Sequence, residues 1–246
     1  MINGQIYDRE SRWHPNLEFV GRIDPFLTGE TLGSLYLIHP QYVITATHCL
    51  KETDKWNVVF PDMTQRKIEL YCPIENHDIA LCKLDEPITH IIPVSISSKP
   101  PEPRQYAIVT GWGRTQRDDD INALRWAGTR LIRPAKNNNV QIERGRKSPQ
   151  AGKGDSGSPI IVNDNGKLYV SAMIRATRLS QKAIWPFHDF FIECPSENEM
   201  DYELFRSIVT LDYERRSYRE TFTCSDLSEW RSLDEWISGR ITSEEK

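Results

Sequence analysis

A chain of 246 residues is long enough for one large domain or two small ones, and a hydrophobic share of 38% supplies a core while leaving a polar surface. A net charge of −4, with acidic residues spread along the chain apart from Asp118-Asp119-Asp120, gives no reason to expect nucleic acid as the main ligand. No stretch approaches the ~18 apolar residues of a membrane span, and Met1 to Asp8 lacks the basic-then-apolar order of a secretion signal.

The five cysteines, Cys49, Cys72, Cys82, Cys194 and Cys224, make an odd count. An odd count without a leader argues for thiols in a reducing compartment, so the expected location is cytoplasmic.

Runs of β-branched and aromatic residues, separated by turn residues, recur from residue 32 to residue 194. Residues 32–38 and 42–45 flank His39-Pro40-Gln41 and read as a hairpin ending near His48. Further strands are expected at 55–60, 65–72, 79–85, 106–111, 124–132, 159–163 and 167–175, with Asn163-Asp164-Asn165-Gly166 as the turn between the last two. Many short strands with few helical patterns imply an all-β antiparallel barrel or sandwich. Ser97 to Arg104, with three prolines, breaks pairing and suits an extended crossover between two halves. Residues 186–222 are polar and aperiodic, an insertion or long loop with some helix near 200–208. Leu227, Trp230, Leu233, Trp236 and Ile237 share one face at helical spacing, and Asp226 and Gly239 suit the two ends of a helix over about 226–239.

Three strings carry chemistry. Gly154-Asp155-Ser156-Gly157-Ser158-Pro159 holds a serine between small residues, where its hydroxyl and backbone N–H can both meet a carbonyl. Thr45-Ala46-Thr47-His48-Cys49 and His77-Asp78-Ile79-Ala80-Leu81 supply a histidine and an aspartate upstream. Acyl transfer needs a nucleophile, a base for its proton and a group that fixes the base's tautomer. Ser156, His48 and Asp78 can fill those roles, and the N–H groups of Gly154 and Ser156 can face an oxyanion. Singly, each has a plainer reading: a bonded structural histidine, a strand-start cap and a turn serine. The G-x-S-x-G elbow does not fit, since position 158 is serine and His48 precedes Ser156. Cys72 and His77 fit no four-ligand zinc spacing, and neither a metal nor a cofactor is expected.

On these strings the chain resembles the chymotrypsin-like (trypsin-family) serine proteases. Val43 to Cys49, Asp78 to Leu84 and Gly154 to Pro159 match the family's histidine, aspartate and serine strings, with Ser158 where glycine is usual. Val109-Thr110-Gly111-Trp112-Gly113 resembles the segment that opens the second barrel, and Leu227 to Ile241 the terminal helix. The likeness covers residues 1 to about 185 and resumes at the end. It implies two antiparallel six-stranded barrels, about 16–98 and 105–185, with the site in the cleft between them. It also implies a serine endopeptidase acting on proteins or peptides.

Several departures shape the expectation. Met1-Ile2-Asn3-Gly4 aligns with the family's processed start, so the amine of Met1 is expected to pair with Asp155 without a zymogen stage. A trimmed precursor, or a register in which Ile2 must be exposed, would explain the same residues. Thr31-Leu32 stands where a cysteine partner for Cys49 is expected, and Gly152 where another cysteine is usual. Gln150, six residues before Ser156, replaces the aspartate of trypsin-like enzymes, so preference for Lys or Arg is not supported. Gln150, Lys153, Met173 and Arg175 are the candidate specificity residues. The basic residues Arg144, Arg146, Lys147, Lys153, Arg175 and Arg178 form either a pocket for acidic or polar side chains or, on balance, a solvated rim. The 30-residue step from His48 to Asp78 leaves little room for the family's calcium loop. A rival reading is a catalytically silent protease-fold scaffold, with 186–222 as a surface for a regulatory partner.

Overall fold

The computed structural model describes residues 1–51, 55–74, 78–97, 102, 104–115, 123–135, 139–142, 149–177 and 180–184; the side chains of 74, 132–142 and 175–184 fall outside that description. The chain divides into Met1–Pro195 and Ser196–Lys246, and every described residue belongs to the first unit. The expected insertion at 186–222, the helix at 226–239, and His77, Arg144, Arg146, Lys147 and Arg178 lie outside the described residues.

A first closed barrel has the strand order β2-β3-β4-β7-β6-β5. Its strands are β2 (Val20–Ile23), β3 (Gly33–His39), β4 (Tyr42–Thr45), β5 (Asn57–Val59), β6 (Gln65–Ile74) and β7 (Ile79–Leu84). Leu35, Leu37, Val43, Ile44, Ile79 and Leu81 bury their side chains, each removal from water contributing about 1.5–3 kcal/mol. The sequence pattern locates β3 to β7 to within a residue or two but not β2. Val20-Gly21-Arg22-Ile23 carries an arginine that nevertheless buries. Arg22 reaches Asp24 Oδ2 at 3.3 Å and lies 4.9 Å over the Trp112 ring. The short helix α1 (Thr47–Lys51) after β4 is also unannounced, because five residues carry no helical period.

The second sheet has β9 (Tyr106–Gly111), β10 (Arg125–Ala135), β11 (Asn139–Ile142), β12 (Pro159–Asp164), β13 (Lys167–Thr177) and β14 (Ser180–Ile184). Pairing runs β9-β10-β11-β14-β13-β12, and β12 returns to β9, which closes the ring. Two short strands, β1 (Gln5–Ile6) and β8 (Ser95–Ile96), attach to β10 and β13. The fold is therefore all-β with two antiparallel barrels of six strands. Asn165 and Gly166 take φ of 53° and 87° in the β12–β13 turn, as Asn-Gly hairpins require. β8 already pairs in the second sheet, so the crossing starts ahead of the prolines. Ser97 and Arg104 bond Val170 and Leu131 from either side of it.

The core of this sheet includes Val109, Leu131, Ile160, Ala172 and Ile174, together with the side chain of Met1. On β13, Ile174 exchanges backbone bonds with Gly157 and Ser158, and Ser171 donates to Ile160 O at 3.4 Å.

Candidate active site

β3, β4 and β7 are neighbours, and their pairing puts the start of β3, the end of β4 and the start of β7 at one end of the first barrel. His48 follows β4 on α1, and Asp78 stands one residue before β7. Two bonds join them. Asp78 Oδ1 accepts the His48 amide at 2.9 Å, and Asp78 Oδ2 lies 2.6 Å from His48 Nδ1. With Nδ1 carrying the proton into this bond, Nε2 presents its lone pair outward. Asp78 is 13% exposed and His48 39%, so the orienting group is shielded while the ring can be reached.

Ser156 belongs to the loop before β12, and the first barrel holds that loop directly. The Ser34 amide donates to Ser156 O at 2.7 Å, and Cys49 Sγ lies 3.9 Å from the same oxygen. Cys49 neighbours His48, so the serine backbone rests against the histidine's own turn. Gly154 and Gly157 have φ of +94° and +86°, which side-chain-bearing residues rarely adopt. A Cβ on Gly157 would meet Ser34 O and, at 2.6 Å, Thr45 Oγ1. Among the described residues the amides of Gly154 and Ser156 donate to no protein acceptor, which leaves two N–H groups beside Ser156 for an oxyanion.

Asp155 turns inward and is fully buried. Its Oδ1 accepts the Gly113 amide at 2.8 Å and its Oδ2 accepts the Gly152 amide at 2.7 Å. The Met1 amine lies 3.2 Å from Oδ2 and also donates to Gly113 O at 2.5 Å and Arg114 O at 3.4 Å. Burial pulls the amine below its ordinary value of 8.0 and pushes the carboxyl above the usual range. Their mutual attraction, and for the carboxylate the two amides, pull each back. Ile2 and Gln150 exchange backbone bonds of 2.9 and 3.1 Å, which fixes the depth of the inserted end.

Of the candidate specificity residues, Gln150 and Lys153 are exposed and Met173 is fully buried opposite Pro159. Arg175 pairs with Lys182 through the backbone. One expectation needs correction. The position facing Cys49 is Gly33, not Thr31-Leu32: a Cβ on Gly33 would stand 2.9 Å from Cys49 Cβ. Cys49, Cys72 and Cys82 are buried thiols, and burial pushes the Cys82 thiol well above its ordinary value. No group of three or more possible metal ligands occurs among the described residues, and no described helix is long and apolar enough to cross a membrane.

The sequence profile of the family described as Trypsin matches residues 7–180, well over half of the chain. The chain belongs to the trypsin family. Serine protease sp-Eoc49 of Echis ocellatus is 31% identical over 164 residues, 54% of this chain and 64% of that protein. Snake venom serine protease KN5 of Trimeresurus stejnegeri is 28% identical over 169 residues, 55% of this chain and 64% of its own. The match thus spans slightly under two thirds of these trypsin-family relatives. Among solved structures, mouse neuropsin, a serine protease expressed in the limbic system of the brain, aligns with a TM-score of 0.57 at 17% identity. That alignment covers 68% of this chain and 87% of neuropsin, and the likeness is one of fold.

Sequence reading missed Trp112 and Ser34 as parts of the site's support. Trp112 Nε1 donates to Val20 O at 3.0 Å, tying the end of β9 to β2. Ser34 was legible only as a small polar residue inside an apolar run.

Proposed function

We propose that the chain is a serine endopeptidase that cleaves proteins or peptides through an acyl-enzyme. The supporting observation is the 2.6 Å contact between His48 Nδ1 and Asp78 Oδ2 at the barrel end that also grips the Ser156 loop. His48 Nε2 takes the Ser156 hydroxyl proton as Oγ attacks the scissile carbonyl. The carbonyl oxygen becomes an oxyanion facing the amides of Gly154 and Ser156, a donor of this kind being worth about 3–4 kcal/mol. The proton then passes from His48 to the departing amine, and water repeats the sequence on the acyl-serine. Asp78 holds the imidazole in the required tautomer and stabilises its charged form. The Met1 amine, paired with Asp155, keeps the oxyanion loop in its working arrangement.

Specificity does not centre on Lys or Arg, because Gln150 is uncharged, and it is narrow, as an intracellular setting requires. The setting is intracellular, consistent with the odd cysteine count and the buried thiols. A regulatory protein docks through 186–222, and neither nucleic acid nor membrane is a partner. A degenerate peptide library tests the activity. Cleavage by the wild type, lost in Ser156→Ala and His48→Ala, is expected. Cleavage retained in either variant refutes the assignment, and a folded wild type that cleaves nothing favours the silent scaffold.

A further inference from the structure

Ser34 uses every hydrogen-bonding group it has: its carbonyl bonds within the first barrel, and its amide and hydroxyl serve the boundary between the two barrels. It is fully buried at the second position of β3. Its amide donates to Ser156 O at 2.7 Å, and its carbonyl accepts from Thr45 Oγ1 at 2.7 Å. Its hydroxyl donates to Gly154 O at 3.0 Å and accepts from the Trp112 amide at 3.3 Å. A single side-chain oxygen therefore joins the first barrel, Gly154 of the serine loop and the residue that follows β9 of the second sheet.

We propose that the Ser34 hydroxyl is a positioning group for the oxyanion site, acting through Gly154. This rests on the endopeptidase reading above. Gly154 at φ +94° has two flanking peptide planes whose orientations are coupled. The plane before it carries the N–H that faces the oxyanion, and the plane after it carries the carbonyl that Ser34 holds. Glycine has no Cβ to restrict a flip, so the loop's own sterics leave the donor's direction loosely set. A bond from a buried β-strand residue supplies the missing restraint. The neighbouring position strengthens the case: Gly33 faces Cys49 and cannot form a disulfide, so no covalent tie at that point joins β3 to the histidine turn. The Ser34 amide fixes the serine's own peptide in the same way, so one residue sets both oxyanion donors.

Removing the hydroxyl leaves Gly154 O and the Trp112 amide buried without this partner. A loosened donor costs less than a deleted one, for which kcat falls about 10²–10³-fold. We expect Ser34→Ala to lower kcat and the rate of fluorophosphonate modification about 10-fold or more, with KM nearly unchanged, because substrate side-chain contacts are untouched. The phosphonyl oxygen of the adduct occupies the oxyanion site, so the modification rate reads the donors directly. Ser34→Thr, which keeps the hydroxyl, restores the rate. Thermal melts run on each variant separate positioning from folding. A Ser34→Ala protein that melts like the wild type and reacts at the wild-type rate overturns the proposal. So does a variant whose rate falls only in proportion to its unfolded fraction. A wild type that is not modified at all removes the endopeptidase reading itself, and the Ser34 proposal with it.

Discussion

Asp155→Asn is the sharpest perturbation of the inserted chain end. In the wild type both carboxylate oxygens accept backbone N–H groups, Gly113 on Oδ1 and Gly152 on Oδ2, and Oδ2 also faces the Met1 amine at 3.2 Å. An asparagine has one acceptor and one NH2 group. With NH2 in place of Oδ2, it confronts both the Gly152 amide and the amine; flipped, it confronts the Gly113 amide. Either orientation sets donor against donor and leaves the ammonium without a charged partner. Breaking a buried pair by removing one partner costs about 3–5 kcal/mol. At 1.36 kcal/mol per tenfold, that shifts the loop away from its working arrangement by about 2.2 to 3.7 orders of magnitude. The hydrogen-bond partners described for the pair, Gly113, Arg114 and Gly152, lie outside the first barrel, so a cooperative melt is expected. The assay is the second-order rate of fluorophosphonate labelling, followed beside the melt. A folded Asp155→Asn protein labelled within about threefold of wild type would refute the reasoning. A Gly-Ser extension ahead of Met1 removes the same charge from the other side and is expected to give a loss of the same order.

Activity and stability are expected to move in opposite directions on the alkaline side. Burial lowers the amine below 8.0, so activity declines as pH rises through that lowered value. Between it and 8.0 the unfolded chain holds more proton, so the amine's contribution to stability rises with pH. Rate profiles and melts across this window check both signs, and activity constant through pH 8 contradicts the account. Asp78→Asn is expected to fold yet lose about 10³–10⁴ in kcat. Its oxygen keeps the His48 amide, its NH2 faces Nδ1, and the ring proton is driven to Nε2, where the base is needed; a loss under tenfold counts against the orienting role. Gly157→Ala places a methyl against Ser34 O and Thr45 Oγ1 at φ +86°. The left-handed backbone alone costs about 1–2 kcal/mol. Urea unfolding is expected to show at least that loss, and an unchanged midpoint contradicts the close approach.

The chain shows its chemistry in sequence wherever the constraint is local. Gly154 and Gly157 must be glycine because of their own dihedrals, and Asp155 sits between neighbours it helps to fold, so the serine string is readable from six residues. The longer strands are readable for a related reason, since alternation records which face is buried. What stays hidden is set by distant partners. β2 hides because Arg22 is buried beneath a partner from far along the chain, the Trp112 ring. The register of β13 hides because nothing within 169–175 marks which residue meets the serine loop, and only the pairing of Ile174 with Gly157 and Ser158 decides. Ser34 hides for the same reason: its partners Gly154, Trp112 and Thr45 come from three other segments. The residue facing Cys49 was misplaced by one because a glycine carries no side-chain signature for the contact it makes.

An activated Ser156 should react alone among the serines of the chain. Treating the folded protein with a fluorophosphonate probe, then reading intact mass and the labelled peptide, tests this. A single adduct on Ser156, abolished in His48→Ala, is expected. No adduct on a folded sample, or an adduct on another serine, would contradict it.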